Sequence, residues 1–198
     1  MDLLSARSSV QVMDWTVHGE RTLYSSRWVS FGLIDTELPN GRRFDHEVVR
    51  APGPAAGTVV FDATKGVLLL WRHRFITGSR SWEIPAGRVE QGETPAQGAA
   101  REVLEETGWR VGQVKPLFAY HPSSGMVDQT FHVFFADDAV HETQPADWFE
   151  SDRIEWVSLD DICRELAAGR VSDGLTVTAL SWALVFGPLA AMRRETGT

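Results

Sequence analysis

The sequence is poor in cysteine and in basic residues, and it begins without an apolar segment. Its single cysteine, Cys163, excludes an internal disulfide framework and a cysteine-rich zinc site. The 198 residues include 19 lysines and arginines against 27 aspartates and glutamates, which gives a net charge of −8. That balance excludes a protein that binds nucleic acid mainly through its phosphates, because such binding needs a basic surface. No targeting signal is evident at the start of the chain, so we expect a cytoplasmic protein.

One uncharged stretch raises the question of a membrane span. Residues 174–192 contain no charged side chain over nineteen positions. They include several hydroxyl side chains, and Gly187-Pro188 would interrupt a spanning helix near its end. We therefore expect a buried helix over about residues 176–186, and no membrane partner.

The composition, with 43% hydrophobic and 23% charged residues, is typical of a folded globular protein. Residues 15–49 have a short, strand-like pattern that is broken by the turn sequence Leu38–Gly41. The cluster Ala51–Pro54 follows and indicates a linker. We therefore predict an N-terminal antiparallel β-element in residues 1–50 and a main domain in residues 51–198.

Strand-like segments outnumber helical segments along the chain. This mixture predicts an α/β fold with a mixed β-sheet. The predicted strands lie at about residues 28–34, 44–49, 57–61, 66–71, 81–84, 113–120, 130–136 and 153–157. Two helices, at about residues 159–168 and 176–186, are expected to end the chain.

A central helix over residues 96–107 has clear start and stop signals. Thr94 is a favourable N-cap, Pro95 suits the first helical position, and Gln97 would complete a capping box with Thr94. Gly108 stands where a glycine in the left-handed conformation commonly ends a helix. Its bounds are therefore the best defined in the chain.

Three glutamates, Glu102, Glu105 and Glu106, share one face of that helix, because they are spaced at i, i+3 and i+4. Like charges at these spacings repel, so the helix alone gains nothing from them. A divalent cation with oxygen ligands would remove the repulsion, and Mg²⁺ typically pairs one or two carboxylates with substrate phosphates. A solvated acidic face is the alternative for the three residues taken alone.

The residues before the helix favour the metal site. Trp82–Gly87 predicts a strand that ends in a tight turn, and a glycine-bearing loop then leads through Glu93 into the helix. Residues 87–109 resemble the Nudix box. The matching residues are Gly87, Glu93, Arg101, Glu102, Glu105, Glu106 and Gly108, with Val103 at an aliphatic position and Trp109 where an aliphatic residue is usual.

The resemblance implies the Nudix fold, an α/β/α sandwich, and hydrolysis of a diphosphate that is joined to another group. The implied ligands of Mg²⁺, or of Mn²⁺ in its place, are the backbone carbonyl of Ala86 and the carboxylates of Glu102, Glu105 and Glu106. Arg101 and Glu93 would orient those carboxylates through charge-assisted hydrogen bonds.

Segments outside the box are similar to the ADP-ribose pyrophosphatase branch of the family, which acts on nucleoside diphosphate sugars. They include Leu38–Gly41, Leu68–Leu70, Trp82–Gly87 and Ser172–Thr176. This similarity implies cleavage of ADP-ribose to AMP and ribose 5-phosphate by a homodimer that exchanges the N-terminal β-element. The alternatives are another Nudix substrate (a UDP- or GDP-sugar, a dinucleotide or an oxidised nucleotide) and a Nudix-like sensor that binds a ligand without cutting it.

The same similarity implies several substrate contacts. Trp28 would stack on the base, with Phe44 as a second candidate, whereas a core or interface position is the alternative for Trp28. Arg74 and Arg50 would contact phosphates, because a guanidinium matches phosphate geometry, and an ion pair is the alternative for each.

Two loops complete the implied site. Ser124-Gly125 would line the substrate site, although members that act on ADP-ribose often have proline where this chain has Ser124. That departure weakens the assignment to ADP-ribose and leaves the diphosphate-sugar class intact. The catalytic base is expected on a loop before a late strand, where Glu150 is the first candidate and Asp152 the alternative.

Overall fold

The structure, a computed structural model, describes residues 13–146 and 149–196, with side chains up to Met192. It divides into two compact units. The smaller unit comprises the described residues up to Pro52 together with Gly125–Asp128, and the larger comprises Gly53–Ser124 and the described residues from Gln129 onward. No pattern in the sequence indicated that residues 125–128 would belong to the same unit as the N-terminal strands. The first twelve residues and Trp148, which belongs to the predicted loop of the catalytic base, lie outside the described residues.

The smaller unit is a three-stranded antiparallel sheet in the order β1-β2-β3, as predicted for the N-terminal element. Its strands are β1 Thr16–Ser25, β2 Ser30–Glu37 and β3 Arg43–Arg50. The predicted turn between β2 and β3 is present, with Gly41 at φ 82° and its N–H donating to Leu38 O at 2.9 Å. Glycine adopts this positive φ without steric cost.

The larger unit contains a seven-stranded mixed sheet. Its strands are β4 Ala55–Asp62, β5 Gly66–Arg74, β6 Ser79–Glu83, β7 Ala86–Arg88, β9 Lys115–Tyr120, β10 Phe131–Ala136 and β12 Arg153–Val157. The central order is β12-β5-β4-β10-β9, with β6 beside β5 and β7 beside β4. Strands β4 and β10 run parallel, and the other neighbours are antiparallel. The short strands β8 Trp109–Val111 and β11 Ala139–His141 pair separately.

Helices cover both faces of this sheet. They are α1 Pro95–Thr107, α2 Leu159–Ala167, α3 Gly174–Val185 and α4 Pro188–Thr196. Because side chains alternate along a strand, β4 and β5 contribute to two separate cores. One core joins Val59, Phe61, Val67 and Leu69 to Ile162, Leu180 and Leu189 of the last three helices. The other joins Ala56, Val60 and Leu68 to Ala99 and Val103 of α1. The predicted α/β/α sandwich with a mixed sheet is confirmed.

The end of the chain differs from the prediction. Gly187 does interrupt the apolar segment, but a further helix, α4, begins at Pro188, so three helices rather than two follow the last strand. Proline is favourable at a first helical position, because its missing N–H would have no helical partner there. Within the described residues, no helix is both long and apolar enough to cross a membrane.

Candidate active site

The acidic helix α1 begins and ends as its sequence predicts. Thr94 Oγ1 accepts the N–H of Gln97 at 3.3 Å, and Gln97 Oε1 accepts the N–H of Thr94 at 2.8 Å. Pro95 occupies the first turn. At the other end Gly108 has φ 73°, and its N–H donates to Leu104 O at 2.8 Å. Both ends are therefore fixed by local hydrogen bonds, which set the position of the glutamates between them.

Glu106 has the most enclosed carboxylate of the acidic face, with 6% of the residue exposed. Its Oε2 accepts the backbone N–H of Ala86 at 2.9 Å, and its Oε1 lies 2.7 Å from Arg72 Nη2. Burial raises the pKa of Glu106 to about 7, and the charge of Arg72 and the Ala86 hydrogen bond oppose that rise only in part. The contact described for Ala86 uses its N–H, so its carbonyl as a metal ligand stays a prediction.

Arg101 connects the other carboxylates of the box. Its Nε donates to Glu93 Oε1, and its Nη1 donates to both Glu102 Oε1 and Glu105 Oε2, each at 2.8 Å. Its Nη2 donates to the backbone carbonyl of Arg88 at 2.9 Å. These hydrogen bonds lower the pKa of the Glu93 carboxyl. The structure therefore brings Glu93, Arg101, Glu102 and Glu105 together in one network.

Gly87 leaves the space that the Glu102 carboxylate occupies. A Cβ atom at Gly87 would lie 2.2 Å from Glu102 Oε1, well inside van der Waals contact. Burial raises the pKa of Glu102, and the hydrogen bond and charge of Arg101 oppose that rise. A side chain at Gly87 would therefore displace the Glu102 carboxylate from its present position.

The donor set suits a hard divalent cation. It consists of carboxylate oxygens on one helix face, and burial makes the ionised forms of Glu102 and Glu106 unfavourable until positive charge is nearby. Arg101 and Arg72 now supply part of that charge. In the described part of the chain, no three histidine, cysteine, aspartate or glutamate side chains already surround one point as metal ligands. The ligand roles of these glutamates therefore stay predictions, which the chemistry of the donors supports.

Arg72 is a site residue that sequence reasoning missed. It lies on β5, is 4% exposed, and its Nη2 is 2.7 Å from Glu106 Oε1 and 3.8 Å from Glu150 Oε2. Its Nε donates to Ser151 Oγ at 3.3 Å. Arg72 thus connects the acidic helix to the loop of the predicted base. The available signal was an arginine that directly follows the apolar run Val67–Trp71 in this strand.

The alternative base, Asp152, has a different partner. Its carboxylate lies 3.0 Å from Arg80 Nε, and its backbone N–H donates to Trp71 O at 2.9 Å. Glu150 is therefore the acid of this loop that contacts the partner of Glu106.

Arg74, predicted as a phosphate contact, is paired with a buried acid. Its Nε donates to both carboxylate oxygens of Glu83, at 3.0 and 3.1 Å, and its Nη2 donates to Oε2 at 2.5 Å. Glu83 is 2% exposed, and sequence reasoning assigned it no role. A cavity of about 460 Å³ adjoins these residues. It is lined by Arg72, His73, Arg74, Phe75, Ile76, Arg80, Phe149, Glu150 and Asp152.

The other predicted substrate contacts, apart from Ser124, lie in the smaller unit. Trp28 is 62% exposed, with the guanidinium of Arg27 4.7 Å from its ring centroid. Phe44 packs edge-on against Trp15, with 6.1 Å between ring centroids. Arg50 is the last residue of β3.

Arg50 is paired with acids of its own unit. Its Nη2 lies 2.6 Å from Glu20 Oε2, and its Nη1 lies 3.2 Å from Asp128 Oδ2. The Gly125 carbonyl accepts a hydrogen bond from His46 Nε2 at 3.0 Å, and Ser124 occupies an exposed turn of the larger unit. The substrate roles of these residues stay predictions.

Comparison with known proteins agrees with this geometry. The family model described as the NUDIX domain matches residues 51–178, which is more than half of the chain. The chain belongs to the Nudix family. This Nudix protein is 40% identical over 186 residues to a CMP-5'-(N-acetyl-N-hydroxy-3-aminopropyl)phosphonate hydrolase of Streptomyces rubellomurinus, with 93% of this chain and 88% of that protein covered. It is 31% identical over 162 residues to the ADP-ribose pyrophosphatase of Bacillus subtilis, with 81% and 87% covered.

A solved structure supports the fold. A crystal structure of an ADP compounds hydrolase superposes with a TM-score of 0.74 at 20% identity, covering 96% of this chain and 98% of that one. The predicted membership of the Nudix family and the predicted fold are both confirmed.

Proposed function

We propose that this Nudix protein is a cytoplasmic, Mg²⁺-dependent hydrolase of the diphosphate bond of nucleoside diphosphate sugars, with ADP-ribose as the favoured substrate. Water would attack one phosphorus atom and the P–O bond from that atom to the bridging oxygen would break, so the products would be AMP and ribose 5-phosphate. The observation that carries the proposal is the buried Glu106 carboxylate, fixed by Ala86 and Arg72 on the helix face that also bears Glu102 and Glu105.

The residues of the box would bind the metal ions and orient the metal ligands. Glu102, Glu105 and Glu106 would hold Mg²⁺, or Mn²⁺ in its place, with Arg101 orienting the first two carboxylates. When bound, the divalent ions would neutralise charge on the diphosphate and make a nearby water more acidic. The work of this site would therefore be positioning and charge neutralisation, as in other phosphoryl-transfer enzymes.

Glu150 would accept the proton of the attacking water. Its carboxylate lies 3.8 Å from the guanidinium that also contacts Glu106, so it can reach the same reacting centre. About half of its side chain is exposed, which leaves its carboxylate accessible to water. We expect Glu150→Gln to lower kcat while leaving metal affinity intact.

Recognition of the nucleotide would involve the smaller unit. An indole face gains stacking energy on a nucleobase that hardly depends on base identity, and Trp28 exposes such a face in this unit. Phe44 is the second candidate for stacking, and Arg50, Arg74 and the Ser124-Gly125 turn would contact the remainder of the substrate.

We further propose a homodimer that forms through the N-terminal sheet. All ten residues of β1 are exposed in the single chain, including Val17, Leu23 and Tyr24. Apolar side chains clustered on one exposed strand are typical of an interaction surface. We expect light scattering to give the mass of two chains and Val17→Asp to shift it toward one. A wild-type mass of one chain would contradict the dimer.

A second candidate substrate is a nucleoside monophosphate joined to a phosphonate. The relative named as a CMP-phosphonate hydrolase is 40% identical, compared with 31% for the ADP-ribose pyrophosphatase. Hydrolysis of that linkage would need the same acids and the same addition of water. The candidate therefore changes the substrate and leaves the proposed chemistry as it is.

A substrate panel tests the proposed function. The purified protein with Mg²⁺ would be given ADP-ribose, UDP- and GDP-sugars, dinucleotides, an oxidised nucleotide, nucleoside triphosphates and a CMP-linked phosphonate, and kcat/KM would be compared. We expect the highest value for ADP-ribose. A higher kcat/KM for another panel member would change the assigned substrate. Binding of a panel member without turnover in Mg²⁺ or Mn²⁺ would favour a sensor.

A further inference from the structure

Arg72 combines deep burial with a terminal nitrogen, Nη2, that makes no aligned hydrogen bond to any described protein group. Its Nη2 lies 2.7 Å from Glu106 Oε1 and 3.8 Å from Glu150 Oε2, and neither ion pair has the geometry of a hydrogen bond. In the described part of the chain, Nη2 is thus a buried donor without a hydrogen-bond acceptor. Buried N–H groups are nearly always satisfied in folded proteins, so Nη2, beside its ion pair with Glu106, has capacity left to donate to a further acceptor.

The position of Arg72 indicates where that acceptor would come from. Arg72 lines the cavity of about 460 Å³ and also contacts Glu106, so it faces both the cavity and the acidic helix. A guanidinium offers several N–H groups in one plane, and phosphoryl oxygens match them well. The charge of Arg72 would also offset the charge that a phosphate brings beside Glu106 and Glu150.

The other arginines of the cavity are used differently. Arg74 makes three hydrogen bonds to the buried Glu83 carboxylate. Arg80 is more than half exposed, and its Nε donates to Asp152 at 3.0 Å. Both are therefore hydrogen-bonded to carboxylates through aligned N–H groups, unlike Nη2 of Arg72.

We propose that Arg72 is a substrate-binding residue whose Nη2 donates to a phosphoryl oxygen of the diphosphate, next to Glu106. The inference rests on the proposed function and adds a residue that neither the Nudix box nor the similarity outside it indicated. It assigns the phosphate contact to a position two residues before Arg74 on the same face of β5.

Binding of a methylene-bridged ADP-ribose analogue, which cannot be hydrolysed, tests this contact. Its affinity would be measured by calorimetry in EDTA, so that the measurement does not depend on metal. Loss of one charge-assisted contact should weaken binding about tenfold or more in Arg72→Gln. Arg72→Lys, which keeps the charge without the planar fork, should bind with intermediate affinity. Arg80→Gln removes the same charge from the same cavity and should change affinity less than twofold.

A second measurement separates substrate binding from support of Glu106. Arg72→Lys keeps a cation beside Glu106, so its Mn²⁺ affinity without analogue should stay close to the wild-type value while analogue affinity falls. Circular dichroism would establish that each variant is folded, and Arg72→Lys decides the question if Arg72→Gln does not fold.

Each of the following outcomes would overturn the inference. If the folded Arg72 variants bind the analogue with unchanged affinity, Arg72 does not contact the phosphoryl oxygen. An equal loss in Arg80→Gln would show a general effect of charge. If the wild type neither binds the analogue nor hydrolyses any diphosphate of the panel, the proposed function fails and the inference falls with it. Wild-type hydrolysis with unaffected Arg72 variants would overturn this inference alone.

Discussion

Replacement of Glu106 by glutamine should stabilise the metal-free protein in a strongly pH-dependent way. Glu106 is 6% exposed, and its pKa rises from 4.5 to about 7 in the folded chain, mainly because burial penalises the charged form. The folded state therefore holds this proton more tightly than the unfolded state does. The stability that comes from the protonated form is complete below about pH 4.5 and is lost as the pH rises toward 7.

The size of the effect follows from the shift in pKa. A difference of about 2.5 units at about 1.36 kcal/mol per unit corresponds to about 3 kcal/mol. The ionisation of Glu106 should lower the free energy of unfolding of the wild type by that amount between pH 4 and pH 8.5. The Glu106→Gln variant should show no such loss. The glutamine carries no charge, and its amide oxygen can still accept the N–H of Ala86.

Urea unfolding in EDTA at pH 4 and pH 8.5 would measure the effect. The free energy of unfolding of Glu106→Gln, relative to the wild type, should increase by about 3 kcal/mol between the two conditions. Val103→Ala, at a fully buried position of the same helix, is the matched control and should destabilise equally at both pH values. An identical pH dependence in Glu106→Gln and the wild type would refute the reasoning from burial.

Three further predictions concern the loop of the base, the turn before the helix and the helix cap. Glu150→Gln should lower kcat and leave Mn²⁺ affinity unchanged, as measured by steady-state kinetics and calorimetry; unchanged turnover would remove Glu150 from the mechanism. Gly87→Ala should displace the Glu102 carboxylate, since the added Cβ would lie 2.2 Å from its Oε1, and should weaken Mn²⁺ binding by about tenfold or more. Equal Mn²⁺ affinity in that variant would contradict the steric account. Thr94→Ala removes the acceptor for the Gln97 N–H and should cost about 1 kcal/mol of unfolding free energy, as measured by urea unfolding.

The helix of the box could be predicted because its signals are local. Thr94 and Gln97 cap each other within a few residues, and Gly108 ends the helix through its own backbone conformation. The spacing of the glutamates then fixes which side chains share a face. Nothing distant in the sequence is needed for either conclusion.

The Arg72 partner of Glu106 and the pairing of Arg74 could not be predicted, because both depend on contacts between elements that are separated in the sequence. Arg72 reaches Glu106 from β5, and Arg74 on the same strand pairs with Glu83 at the end of β6. Both contacts depend on the order of strands in the sheet, which the sequence pattern does not specify. The three-residue strands β7, β8 and β11 were missed for another reason, since they are too short to display an alternating pattern.

Trp109 shows how a departure from the family pattern is accommodated. Its ring meets Trp156 edge-on, with 5.1 Å between centroids, and the ammonium of Lys65 lies 5.1 Å from the Trp109 centroid and 5.2 Å from that of Trp156. The indole thus packs within an aromatic cluster beyond the end of α1. The position therefore affects packing, and the partners of Trp109 became apparent only in the structure.

Product analysis with Mg²⁺ tests the central claim most directly. The wild type and Glu106→Gln would each be incubated with ADP-ribose in Mg²⁺ and in EDTA, and the products would be separated by chromatography. We predict AMP and ribose 5-phosphate from the wild type with Mg²⁺, and no product in EDTA or from Glu106→Gln. Equal product formation by the folded Glu106→Gln variant, or by the wild type in EDTA, would contradict a hydrolase that depends on metal bound by this acidic helix.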